Sequence, residues 1–173
     1  STWTKMTNST SYFLRSVWGT TGSDVFAVGG GGTVSAPILH YNGSAWSQMA
    51  NDIEQVFLFG VWGTSHSDVF AVGQNNAGTA GVILHYDGST WIQTTLYTGT
   101  PLYSVGGTAA SDVYGVGGDT DNNEAVMLHY NGSSWSELAR VTNNQLNFIQ
   151  GVGATDVYTI GVGGTILHHT VSR

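Results

Sequence analysis

The repeats of this chain predict an all-β fold, a four-bladed β-propeller of four-stranded blades, and three observations support that expectation. One unit recurs four times, each unit divides into four short strand-like runs, and residues 1–6 have the form of the run that the last unit lacks.

The first copy reads FLRSVWGTTGSDVFAVG and continues through ILHYNGSAWSQM. The second reads LFGVWGTSHSDVFAVG then VILHYDGSTWIQT, and the third LYSVGGTAASDVYGVG then VMLHYNGSSWSEL. FIQGVGATDVYTIG followed by TILHHT is the fourth. Asp24, Asp68, Asp112 and Asp156 recur at steps of about 44 residues, and His40, His85, His129 and His168 do much the same. A period of about 40–45 residues carrying four strands is the mark of a propeller blade. The reading is one domain over 1–173, with repeats at about 7–49, 50–94, 95–138 and 139–173 and a closing strand at 1–6.

Within a unit the first strand ends at Val17, Val61, Val105 and Val152. The second covers 25–28, 69–72, 113–116 and 157–160, the third begins at 38–41, and the fourth at 45–49. Nearly every position in these runs is apolar, as in sheets covered on both faces. Asn42-Gly43, Asp87-Gly88 and Asn131-Gly132 signal hairpins between the third and fourth strands. The last unit stops after its third strand. The missing strand has the form Ser-x-Trp-x-x-Met, and Ser1, Trp3 and Met6 match Ser44, Trp46 and Met49. The N-terminal strand is therefore expected to complete the C-terminal blade and close the ring, leaving no bare edge. A monomeric ring is favoured because a tethered strand meets a high effective concentration. The alternative is a swapped dimer forming an eight-bladed ring.

Composition narrows the function classes. The chain has 25 glycines, 2 prolines and no cysteine, which excludes disulfides and thiolate metal sites. Lys5, Arg15, Arg140 and Arg173 are the only strong cations against eleven carboxylates, giving a net charge of −7. Nucleic acid and anionic membrane surfaces are poor partners for such a chain. No apolar run is long enough to insert in a bilayer as a helix.

The pattern V-W-G-T-x-x-S-D-V-F-A-V-G, then I-L-H-Y-D-G-S-x-W, resembles the BNR or Asp-box-type repeat of bacterial β-propellers. That resemblance covers nearly the whole chain and implies the propeller fold and a secreted or cell-surface setting. It does not imply an activity. The arginine triad of a sialidase is not supplied by Arg15, Arg140 and Arg173, which occupy non-equivalent places in the unit. The chain is read as a non-enzyme.

The fourfold residues read as structural. Third-strand histidines diverge around a ring and cannot meet on one ion. The repeated Asp precedes a strand, where it locks a turn by accepting N–H bonds. Trp3, Trp46, Trp91 and Trp135 fill the wedge between blades. Trp18 and Trp62 differ, because the third copy has Gly106 at that position and the fourth aligns Gly153, so they are candidates for a stacking platform.

The copies disagree mainly in the loop between strands two and three and in the link between blades, which emerge on one face. On that face Phe57, Phe59, Tyr97, Asn75, Asn76, Asn143 and Asn144 join Trp18 and Trp62 as candidate ligand-binding residues. Asp119, Asp121, Asn123 and Glu124 offer oxygen ligands of the kind calcium takes, without the full EF-hand spacing. The functional expectation is a lectin-like module for a glycan, or for an extracellular protein. A scaffold segment of a larger surface protein without a small-molecule ligand is the rival reading. Third comes a glycoside hydrolase built on Asp52 and Glu54, which would need a facing acid about 5–10 Å away.

Overall fold

Each repeat folds into one antiparallel sheet whose strands follow chain order. The computed structural model describes every residue except Ser9, 31–36, Thr120, Asn123 and 171–173, and for 94–98 it describes the backbone alone. The first sheet holds β1 (Phe13–Thr21), β2 (Asp24–Gly30), β3 (Ile38–Tyr41) and β4 (Trp46–Gln48). The second holds β5 (Val56–Ser65), β6 (Asp68–Asn75), β7 (Ala80–Tyr86) and β8 (Trp91–Thr98). In the third lie β9 (Leu102–Ala109), β10 (Asp112–Asp119), β11 (Glu124–Tyr130) and β12 (Trp135–Glu137). The last comprises β13 (Leu146–Val152), β14 (Asp156–Gly161) and β15 (Ile166–Thr170). This is the predicted all-β propeller architecture, blade by blade.

Register corrects one alignment. Val17, Val61 and Val105 pair with Ala27, Ala71 and Gly115, and the residue placed equivalently in the last blade is Ile149, opposite Thr159. Val152 lies three residues further on. The partner of Trp18 and Trp62 in the last blade is accordingly Gln150, which faces Tyr158, rather than Gly153. The fourth copy keeps the spacing of the other turns but has Val152 and Thr155 where they have Thr and Ser, so its Gly151-Val152-Gly153 run mimics the Gly-Val-Gly pattern of a strand end.

The Asn-Gly and Asp-Gly pairs do form the predicted hairpins, as four-residue loops. Gly43, Gly88 and Gly132 take φ of 92–93°, and the preceding Asn42, Asp87 and Asn131 accept two backbone N–H groups each. The left-handed residue is glycine because it has no Cβ to clash.

Three apolar cores lie between successive blades. Phe26, Val28 and Ile38 of the first blade pack with Leu58, Val61 and Trp91 of the second. Phe70, Val72 and Ile83 pack with Leu102, Val105 and Val126, and Tyr114 and Val116 pack with Leu146 and Ile149. The repeat therefore stabilises itself by stacking, each blade covering its predecessor.

The two ends of the stack are uncovered. Val17 is 64% exposed where Val61 is 6% exposed, and the first and last blades are not among the strand pairs in close contact. Among the described residues, no fourth strand lies on β15. Residues 1–6 form no strand, and the Trp3 side chain is fully exposed. The expected hydrogen-bonded closure by the N-terminal strand is thus not seen.

Candidate functional site

The inner strand of every blade carries a bulge at the same place. In β1 the register slips between Leu14 and Ser16, in β5 between Leu58 and Gly60, in β9 between Leu102 and Ser104, and in β13 between Leu146 and Phe148. The unpaired residues are Arg15, Phe59, Tyr103 and Asn147. A bulge re-aims the side chain that it leaves out of the ladder. Here four such residues stand side by side, one per blade, on the concave inner face.

Glycine makes the bulge possible. A Cβ at Gly73 would sit 1.8 Å from the Phe57 carbonyl oxygen, and one at Gly29 would sit 1.9 Å from that of Phe13. Gly117 and Gly161 meet the same obstacle at 2.0 and 2.2 Å. The glycine at this position near the end of each second strand is therefore required by the backbone pressed against it.

These residues line a groove of about 430 Å³ together with Trp18, Trp62, Val105 and Gln150. The Phe59 ring stacks on Tyr103 with centroids 5.5 Å apart at 27°. The Arg15 guanidinium carbon lies 5.5 Å from the Phe59 centroid, a cation–π contact. Neighbouring inner strands are tied by Ser16 Oγ, which accepts from Val61 N–H at 3.2 Å, and by Ser104 Oγ, which accepts from Ile149 N–H at 3.2 Å. The wall of the groove is thus a rigid edge of backbone carrying one cation, two rings and an amide. Burial, with the charge of Asp119, pushes the Tyr103 phenol above its usual range, so it stays a hydrogen-bond donor.

The sequence-predicted residues divide around this groove. Phe59 lies in it, and Trp18 and Trp62 form its walls while also packing into the first and second interblade cores. Phe57 points elsewhere, against the backbone of Gly30 in the preceding blade. Tyr97 sits on β8, the outermost strand of its blade, far from the inner strands in sheet order. Asn75 locks its own loop by accepting from Thr79 N–H at 2.9 Å, and Asn76 N–H donates to the Gln55 carbonyl at 2.7 Å. Asn144 donates to Thr165 Oγ1 at 2.8 Å and Asn143 is exposed on the same link. The structure does not gather these residues into one site.

Arg15, Tyr103 and Asn147 were missed. A signal for them exists in the repeat: between a constant Leu and a Val or Ile three residues on, the position after the Leu reads Arg, Phe, Tyr and Asn, four different side chains in four copies. A variable residue inside a constant strand marks a place that packing does not dictate.

The calcium expectation meets a different geometry. Asp119 Oδ1 accepts from Asp121 N–H at 2.8 Å and its Oδ2 from the Asn122 amide at 2.6 Å, so the carboxylate caps its own turn. Asn123 lies outside the described residues. Asp119, Asp121 and Glu124 do not bring three ligand atoms together. Among the described residues the one such grouping is Asp24, His40 and His66.

That grouping belongs to the lock that holds every blade. Asp24, Asp68, Asp112 and Asp156 lie 2.7–2.9 Å from the Nε2 of His40, His85, His129 and His168. Thr20, Thr64 and Thr108 donate to the other carboxylate oxygen in the first three blades, and Thr155 does so in the last at 2.7 Å. In the first three blades the Asp thus joins the first, second and third strands, whereas in the last Thr155 lies in the turn beside Asp156; the partners are Thr hydroxyls and His rings where turn N–H groups were expected. His66 adds an interblade bond, its Nδ1 lying 2.7 Å from Asp24. Burial works to raise the Asp24 pKa, but bonds to Thr20, His40 and His66 prevail and hold it at about 2. Both Thr and His bond the carboxylate and not each other, so the trio lacks the hydroxyl–imidazole pair of a nucleophile.

Asp52 and Glu54, the carboxylates of the hydrolase reading, border a recess between the first interblade link and the outer strand β8. That recess is lined by no further acid among the described residues.

No family model matches this chain, and no curated protein matches it. Among solved structures it is similar to the β-propeller in "YCF48 bound to D1 peptide", with a TM-score of 0.63 and 12% sequence identity. The match covers 95% of this chain and 53% of that chain, so this chain spans about half the length of its structural neighbour. At that identity the likeness shows the propeller fold alone.

Proposed function

We propose that the chain is a binding module whose concave inner face takes an extended polypeptide segment along Arg15, Phe59, Tyr103 and Asn147. The observation that carries this reading is the bulge repeated in all four inner strands, which puts four unlike side chains on one rigid edge. Such a row offers a fixed cation for a carboxylate, two rings for an apolar or aromatic side chain, and an amide for a backbone group. The groove's surroundings are pre-ordered, so binding costs little additional ordering. The neighbouring propeller was solved with a peptide bound, which agrees with this class of ligand.

A glycan is the second reading. It is favoured by the flat Phe59–Tyr103 stack beside the Asn147 amide, a combination suited to neutral sugars. An array of random 12-residue peptides and a glycan array, both screened with the intact chain, separate the two. Peptide hits that weaken at least 10-fold in Arg15→Ala and Tyr103→Ala support the first. Glycan hits alone, lost in Tyr103→Ala, replace it with the second. Hits indifferent to both substitutions remove the groove from either reading.

A further inference from the structure

We propose that Asp24, His40 and His66 bind one divalent transition-metal cation of the zinc class, which ties the first blade to the second. The inference stands on side-chain geometry at the blade boundary and does not depend on what the groove binds.

The donor atoms already converge. Nε2 of His40 and Nδ1 of His66 each lie 2.7 Å from Asp24 Oδ1, and the three atoms all fall within 4.8 Å of one another. In a tetrahedral zinc site with bonds of about 2.0–2.2 Å, neighbouring donor atoms stand about 3.4 Å apart. An ion replacing the bridging protons therefore asks each 2.7 Å contact to open by roughly 0.7 Å. His66 can supply that movement, because it sits in the turn between β5 and β6 with its side chain 57% exposed. Two imidazoles and one carboxylate suit zinc and its neighbours in the first transition series, whereas calcium and magnesium prefer oxygen alone.

The Asp–His lock does not need His66. Asp68 with His85, Asp112 with His129 and Asp156 with His168 hold their blades without a second imidazole among the described residues. The position two residues before each repeated Asp reads Gly22, His66, Ala110 and Ala154. Three copies thus have no polar side chain there, and the second has a metal-ligating one aimed at the carboxylate of the preceding blade. The other oxygen of that carboxylate is engaged, since Thr20 donates to Asp24 Oδ2. This bond fixes the carboxylate and leaves Oδ1 as its single donor atom, the role that an outer-shell partner plays around a bound metal.

The rings rest on an apolar floor. Phe26, wholly buried, lies 4.7 Å from His40 and 6.0 Å from His66, and Tyr86 meets His66 edge-on at 6.4 Å. The side chains of Asp24 and His40 are 14% and 18% exposed, so the site opens to solvent on the His66 side. Three protein donors leave a fourth position there for water. The net charge of −7 favours the approach of a cation. Asp24 and His40 belong to the first blade and His66 to the second, so the ion braces the boundary, and its binding adds to the stability of the folded chain.

Zinc chloride titrated into the tag-free chain, against a chromophoric chelator that reports free zinc, tests the site. One tightly held ion per chain is expected, with a melting temperature that rises with zinc concentration. Cobalt(II) in its place is expected to show the visible bands of a four-coordinate ion. His66→Ala puts into an exposed turn the residue that two other copies carry there, so the β spectrum is expected to stay unchanged. Its zinc affinity is expected to fall roughly 100-fold or more, since loss of an outer-shell partner alone costs about 10–100-fold. His169→Ala, which breaks up the adjacent exposed pair His168-His169, is expected to leave the affinity as it was. Absence of binding at millimolar zinc overturns the proposal. So does binding that His66→Ala leaves intact or that His169→Ala abolishes, because either places the ion elsewhere.

Discussion

Phe59 and Tyr103 stand at the same position of adjacent blades and stack at 5.5 Å, although 44 residues separate them in the chain. Each is a bulged residue, released from its own ladder and therefore free to meet its neighbour across the blade boundary. Pairing in the sheet is done by the residues on either side, and the stack is added on the groove surface.

The first prediction concerns that stack. Tyr103→Ala removes a ring pair worth about 0.5–1.5 kcal/mol while leaving the flanking Leu102 and Ser104 in place. Urea unfolding is expected to show a loss within that range, together with loss of ligand. A much larger loss would mean that Tyr103 is a core residue and not a site residue.

Substituting the glycine opposite the bulge tests the geometry itself. In Gly73→Ala the new methyl would lie 1.8 Å from the Phe57 carbonyl oxygen, so backbone must move. The expected cost is about 3 kcal/mol or more. Gly22→Ala, with nothing within 4 Å of its added carbon, is expected to be near neutral. Equal effects in the two variants would remove the bulge as the reason for the conserved spacing within the repeat.

Acid stability follows from Asp24. Its pKa is about 2 in the folded chain against an ordinary 3.8. A carboxyl depressed on folding contributes stability above its unfolded value, and that contribution is lost as pH falls through the folded one. Wild type is therefore expected to lose stability between pH 3.8 and about 2. Asp24→Asn should be less stable at neutral pH and flatter across that window, read from urea midpoints at each pH.

His66 bonds Asp24 across the blade boundary at 2.7 Å, and the third blade has Ala110 in the corresponding turn. His66→Ala is expected to cost about 1 kcal/mol, the scale of one hydrogen bond to a charged group at an exposed site, and to raise the Asp24 pKa as followed by carboxyl NMR. An unchanged Asp24 titration would place the contact outside the lock.

Calcium makes the geometry of the β10–β11 loop testable. With the Asp119 carboxylate engaged by Asp121 N–H and the Asn122 amide, millimolar calcium is expected to leave the melting temperature unmoved. A rise that Asp119→Ala plus Asp121→Ala abolishes would show that the turn opens to hold the ion.

The blades, their strand order, the three hairpins and the Asp–His recurrence could all be read from the chain, because each depends on local pattern repeated at one period. The groove could be read only in part. Phe59 was legible as an aromatic near the variable face, whereas Arg15 and Asn147 are ordinary polar residues until the register slip aims them inward. Phe57 and Tyr97 were equally aromatic, yet Phe57 covers Gly30 and Tyr97 lies on an outer strand.

What the amino-acid sequence determined by itself was the unit: its strands, its turns, its lock, and the kinship between residues 1–6 and the outer strands. Tertiary structure alone decided which side chains share the inner face and whether the ends meet. Side-chain direction in a strand depends on the partner's register, and one bulge reverses it. Closure depends on the angle at which successive blades pack, summed over three interfaces, and no single repeat contains that sum.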